Sequence, residues 1–175
     1  MTTRAERTYT VSQIERIDEA SYADFTTAFE SLLGRMPAAI DLASLSAQAA
    51  REKLASFVGP FDFTLFQKLD HGAVVTRLAG RPCEATTYVF GNALIAVEMT
   101  RHVARAGLYV PLRLMVEGLE GDRVRITYDL PSSLMTPWGS ADVDAVARTL
   151  DGKVERILDE ALARAHLVGV SAIAP

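Results

Sequence analysis

The chain is nearly devoid of cysteine: Cys83 stands alone, so no intramolecular disulfide can form. A single thiol fits a reducing, cytoplasmic setting. It also lacks any apolar run near the roughly 18 residues that a membrane-spanning helix needs. The opening MTTRAERTYTV has arginines but no apolar stretch behind them, so no secretory leader is expected. An excess of positive charge is missing as well. The 18 Lys and Arg are outweighed by 22 Asp and Glu, for a net −4, which argues against nucleic acid as a partner. Nor is there a Gly-rich phosphate loop, a GxSxG elbow, or an HxxxH or CxxC spacing. Nucleotide chemistry, serine hydrolysis and a dedicated metal site therefore have no motif behind them. His71, His102 and His166 are scattered.

What is present is a 49% hydrophobic, 23% charged chain of 175 residues, the composition and size of one globular domain. Thr, Val, Ile and Tyr between Arg7 and Ile17 favour a first strand. Ser21 opens a helix with Asp24 three residues on, and Tyr22, Phe25, Phe29, Leu32, Leu33 and Met36 share its apolar face up to Pro37. Ser46 caps a second, alanine-rich helix from Ala47 to Val58, expected to be peripheral. From Asp62 the apolar period becomes two. Asp70-His71-Gly72 reads as a turn, with Ala73 to Leu78 as a returning strand and Glu84 to Phe90 as another.

Val110 to Glu117 and Arg123 to Leu130 then form a hairpin around Gly118 and Gly121. Val110, Leu112, Leu114 and Val116 alternate on one face and Val124, Ile126, Tyr128 and Leu130 on the matching one, the pattern of an antiparallel sheet buried on one side. Ser140 caps the last helix. Its stripe of Val143, Val146, Leu150, Val154, Ile157, Leu158, Ala161 and Leu162 must lie on the apolar sheet face. The tail LVGVSAIAP reads as a short strand or an arm. The fold class is α+β: a curved antiparallel sheet of five to six strands with a long C-terminal helix on one face.

The stretch from Thr86 to Ser133 carries a family grammar: Gly91-Asn92 after a strand, Met99 in the helix, Leu108 and Pro111 leading a strand, then Tyr128-Asp129 and Pro131. This unit resembles the bacterial family called domain of unknown function 302, whose activity is unassigned. Ala93 departs from the proline usual there, which leaves a helix start intact. The resemblance implies a TATA-box-binding-protein-like architecture and a homodimer.

Several residues are candidates for chemistry. Asn92 either simply caps its helix or, with the free N–H groups there, receives a carboxylate or phosphate. Glu98 and His102, four apart in one helix, form a proton-transfer couple or only a surface pair with Met99 in the core. Met99 with His102 could in principle ligate haem iron or copper, but no cofactor is assigned. Arg113 and Arg125, with Arg77 depending on register, give the outer sheet face a cluster suited to solvent or a second subunit. Tyr88 and Tyr128 fall on the inner face. If the wedge between sheet and helices is hollow, Tyr88, Asn92, His102 and Tyr128 are its convergent polar groups. Three readings stay open: binding of a small, partly apolar ligand; a small-molecule enzyme using Glu98 or His102; and a dimeric scaffold.

Overall fold

The computed structural model describes residues 2–173, with side chains through 169. Strand β1 (Gln13–Asp18) leads into helix α1 (Tyr22–Ser31), a two-residue strand β2 (Gly34–Arg35) and helix α2 (Ala47–Ala55). Strand β3 (Thr64–Asp70), helix α3 (His71–Ala79), strand β4 (Ala85–Gly91) and helix α4 (Ala93–Thr100) follow. The hairpin β5 (Leu112–Leu119) and β6 (Arg123–Asp129), a short helix α5 (Pro131–Met135) and the long α6 (Ala141–Ile173) complete the chain. One six-stranded sheet runs in the order β1-β6-β5-β4-β3-β2, antiparallel except where β2 meets β3.

Alternation decides which face is buried. Tyr88 lies opposite Leu114, and Val116 opposite Ile126. These, with Phe90, Leu112, Val124 and Tyr128, turn inward and are buried. Helices α1 and α6 cover that face and join it in one core cluster. Phe29 of α1 meets Tyr88 and Phe90 edge-on, at centroid distances of 5.3 and 5.6 Å. The whole expected α6 stripe is buried apart from the half-buried Val146. At ~25 cal/mol per Å2 of apolar surface, this is the dominant stabilising contribution.

The sequence reading and the structure part company in four places. The first strand is shorter, starting at Gln13; the segment before it is held through Ser12, whose N–H donates to Ser133 Oγ at 3.0 Å. Helix α1 stops at Ser31 instead of running to Met36. There the Gly34 N–H donates to Phe63 O at 2.9 Å and Met36 N–H to Leu65 O at 3.2 Å, so the chain joins the sheet edge. Gly34 is required at this point, since a Cβ would overlap the Phe57 carbonyl.

The third difference is the largest. Ala73 to Leu78 is helix α3, not a returning strand. Asp70 caps it by accepting the Ala73 N–H at 2.8 Å, and Gly80 ends it at φ 68°. Strand β3 pairs instead with β4, and Arg77 stands on α3, away from the sheet. Last, the tail is neither strand nor arm, because α6 continues to Ile173; the side chains past 169 and residues 174–175 lie outside the described residues. Helix α2 is peripheral as expected, with no buried residue.

Two alanine substitutions separate core from surface. Leu158, with no exposed area, should cost about 2–5 kcal/mol as Leu158→Ala. Leu78 on α3 is 82% exposed, and Leu78→Ala should stay within about 0.5 kcal/mol. Urea unfolding checks both, and comparable losses would contradict the placement of α3.

Candidate functional site

The junction from β4 to α4 is built from short-range bonds. Asn92 has an extended backbone, and its Oδ1 accepts the Leu94 N–H at 2.8 Å, closing the first turn of α4. Its Nδ2 donates to the Asp62 carbonyl at 3.0 Å. Asp62 itself sits at φ 62°, and its carboxylate pairs with Lys153 of α6. One residue before β3 thus ties the start of α4 to the middle of α6. Opposite Gly91, the chain enters β5 through Pro111, which follows a cis peptide bond.

Between these elements lies a half-enclosed cavity of ≈ 180 Å3, lined chiefly by Gly91, Asn92, Ile95, Met99, Pro111 and Leu150. Its walls are almost entirely carbon. An apolar cavity of about 150 Å3 accommodates benzene, so the space suits one ring or an alkyl group of like size. The Asn92 carboxamide faces its neighbours with both its oxygen and its nitrogen engaged.

The other expected site residues do not converge here. Tyr88 is buried on the inner face and donates to Glu30 Oε1 of α1 at 2.8 Å. Lys68 reaches the same oxygen at 2.5 Å, and Arg35 lies 3.5 Å from the other. Tyr128 donates to Glu155 of α6, which also pairs with Arg16 at 3.1 Å. Burial pushes both tyrosine hydroxyls far up from their usual range, and the adjoining carboxylates add to it. Burial alone would raise the Glu30 carboxyl too. Hydrogen bonds from Lys68 and Tyr88, with the charges of Lys68 and Arg35, prevail and hold it below its ordinary value.

Glu98 and His102 meet through Arg101 and not directly. Helix α4 ends at Thr100, so the four-residue spacing is not helical throughout. Glu98 pairs with Arg101 at 2.7 Å, and Arg101 Nε also donates to His102 Nε2 at 3.1 Å, while the other ring nitrogen of His102 lies 3.5 Å from Asp142. Met99 is buried in the core. On the outer face Arg125 approaches Glu15 and Glu117 at 3.5 and 3.8 Å. The Cys83 N–H donates to Thr76 Oγ1 at 3.1 Å, fastening α3 to the approach of β4. Among the described residues, no three His, Cys, Asp or Glu side chains cluster as a metal site. No helix there is long and apolar enough to cross a membrane.

Reading the sequence found Asn92 but not the cavity wall. Gly91, Met99 and Pro111 were visible as parts of one motif, without a sign that they meet; Ile95 and Leu150 carried no signal beyond their apolar period.

The sequence model of the family described as domain of unknown function DUF302 matches residues 39–161. The chain belongs to the DUF302 family. The match spans most of the chain, from the approach to α2 into α6, leaving β1, α1 and β2 outside it. The crystal structure of an uncharacterized conserved DUF302 protein from Bacillus stearothermophilus shares the fold, with a TM-score of 0.60 at 10% identity. The alignment covers 85% of this chain and 97% of that one. No curated protein matches the chain. Family membership thus fixes the architecture and leaves the chemistry to the site.

The clasp of Tyr88 on Glu30 makes a pH-dependent prediction. Tyr88→Phe removes a hydroxyl donor to a charged acceptor and should cost about 1.5 kcal/mol near neutrality. Because the folded-state Glu30 pKa is lowered, its stabilisation is complete above the ordinary carboxyl value of about 4.3. It is lost as the pH falls from there through the folded value. The urea midpoints of parent and variant should therefore converge in acid; a constant gap would separate the hydroxyl's contribution from the charge on Glu30.

Proposed function

We propose that this DUF302 protein binds a small molecule by taking an uncharged, apolar group of single-ring size into the cavity beside the β4–α4 junction. One observation carries the reading: Gly91, Asn92, Met99 and Pro111, four residues of the family-like motif, all line the same space. Structural need alone accounts for Asn92 as a cap. It does not account for a void at the meeting point of the motif, since each lost contact in a core forfeits packing energy.

The lining defines what enters. A carboxylate inside would find no cation, and the Asn92 carboxamide already serves the helix and Asp62. An unpaired buried charge costs several kcal/mol, so the buried portion of the ligand is neutral. In this reading Asn92 shapes the mouth, while Tyr88, Tyr128 and His102 take no part in contact. The second reading, an acid–base couple of Glu98 and His102, has less support, since Arg101 stands between the two and bonds both, and neither lines the carbon-walled cavity.

Toluene is a suitable probe. Ligand at ten times its dissociation constant should stabilise the protein by about 1.4 kcal/mol, read as a rise in Tm. Ala96 lines the cavity from α4, so Ala96→Leu should fill the space, keep the fold and abolish the rise. No toluene response in the parent protein, or an equal response in the variant, would overturn the proposal.

A further inference from the structure

The cavity has a neighbour whose lining includes charged side chains. A more open recess of ≈ 330 Å3 shares Ile95 and Leu150, adds Leu94 and Val146, and carries Arg51, Glu98 and Lys153 as its charged members. Two side chains therefore stand between the cavity and a second, also largely apolar space that carries charged groups in its lining. The charges in the recess do not cancel. Lys153 is committed to Asp62, and Glu98, the acid in the lining, is held by Arg101 at 2.7 Å. Arg51, exposed on α2, has no ion-pair partner among the described residues. It leaves one guanidinium without a counter-charge.

The element that carries Arg51 is unusual as well. A nine-residue helix with no buried side chain draws little stability from the core, and helices of that length are marginal by themselves. Its downstream end is nevertheless anchored, since Thr64 Oγ1 donates to Phe57 O at 2.9 Å and the Gly59 N–H to Phe63 O at 2.9 Å. Arg51 is thus kept near the α4–α6 partition by the bonds at the downstream end of its helix.

Building on the cavity reading, we infer that the natural ligand is an amphipathic monoanion. Its ring or short alkyl group fills the cavity, and its carboxylate emerges between Ile95 and Leu150 to meet Arg51. The guanidinium presents a planar fork of donors matched to a carboxylate. The anion stays in the solvated recess, where no desolvation comparable to that of the cavity interior is required.

The test uses phenylacetate and its neutral isostere phenylacetamide, titrated calorimetrically into the intact protein, Arg51→Ala and Ala96→Leu. Phenylacetate should bind the parent about fivefold more tightly than the amide, as expected for one part-exposed ion pair, and added salt should shrink that advantage. Arg51→Ala, at an exposed helical site where alanine is the best helix former, should equalise the two probes. Ala96→Leu should abolish both. Equal binding of acid and amide to the parent, or an undiminished preference in Arg51→Ala, overturns the inference and leaves the cavity reading standing. If toluene binds the parent and neither phenyl probe does, the partition is closed and the inference again fails. Failure of toluene as well would remove the cavity reading itself.

Discussion

Two tyrosine hydroxyls, buried under two helices, set where those helices can sit. Tyr88 and Tyr128 rise from the inner face of the sheet, and a buried hydroxyl without a partner costs about 1–3 kcal/mol. Each covering helix brings one carboxylate to that point: Glu30 from α1 and Glu155 from α6. A strand alongside then supplies a cation, Lys68 of β3 or Arg16 of β1. The two clasps are built alike and stand toward opposite edges of the sheet. Apolar packing alone is tolerant of sliding; these bonds are directional, so they fix the register of each helix along the strands. Between the clasps Leu114, Ile126 and Leu158 pack without any exposed area.

Much of this architecture is legible in the sequence, for identifiable reasons. The hairpin of β5 and β6 is half-buried, so its alternation survives intact from Leu112 to Tyr128. Helix α6 lies on a broad surface, so its stripe repeats for many turns. Ser21 and Ser46 act as caps through bonds spanning three residues, and short-range chemistry of that kind is visible locally. The segment from Ala73 to Leu78 misleads because it buries so little. Val74 and Leu78 are exposed, and an apolar residue that faces water carries no periodic message. The better signal was Asp70, which serves a helix cap as readily as a turn. The end of α1 is hidden for a different reason, since Leu32 and Leu33 keep helical spacing while the backbone of Gly34 answers to Phe57 and Phe63.

The candidate site follows the same division. Gly91 and Asn92 announce a strand-to-helix junction. The partners of Tyr88 and Tyr128 lie 58 and 27 residues away in the chain, beyond the reach of any local rule. For that reason the tyrosines read as open polar groups of a pocket, although each is already spoken for. Likewise the Glu98–His102 spacing presumes a helix that ends two positions too soon. What remains at the junction is an almost wholly hydrocarbon chamber.

Asp62 braces two of the helices beside that chamber. Its left-handed backbone stores on the order of 1 kcal/mol of strain, retained because its carbonyl grips Asn92 while its carboxylate grips Lys153. Both grips issue from a single residue, so a substitution at that position reaches the two helices together. The chain between α2 and β3 thereby couples α4 to α6 on one flank of the chamber.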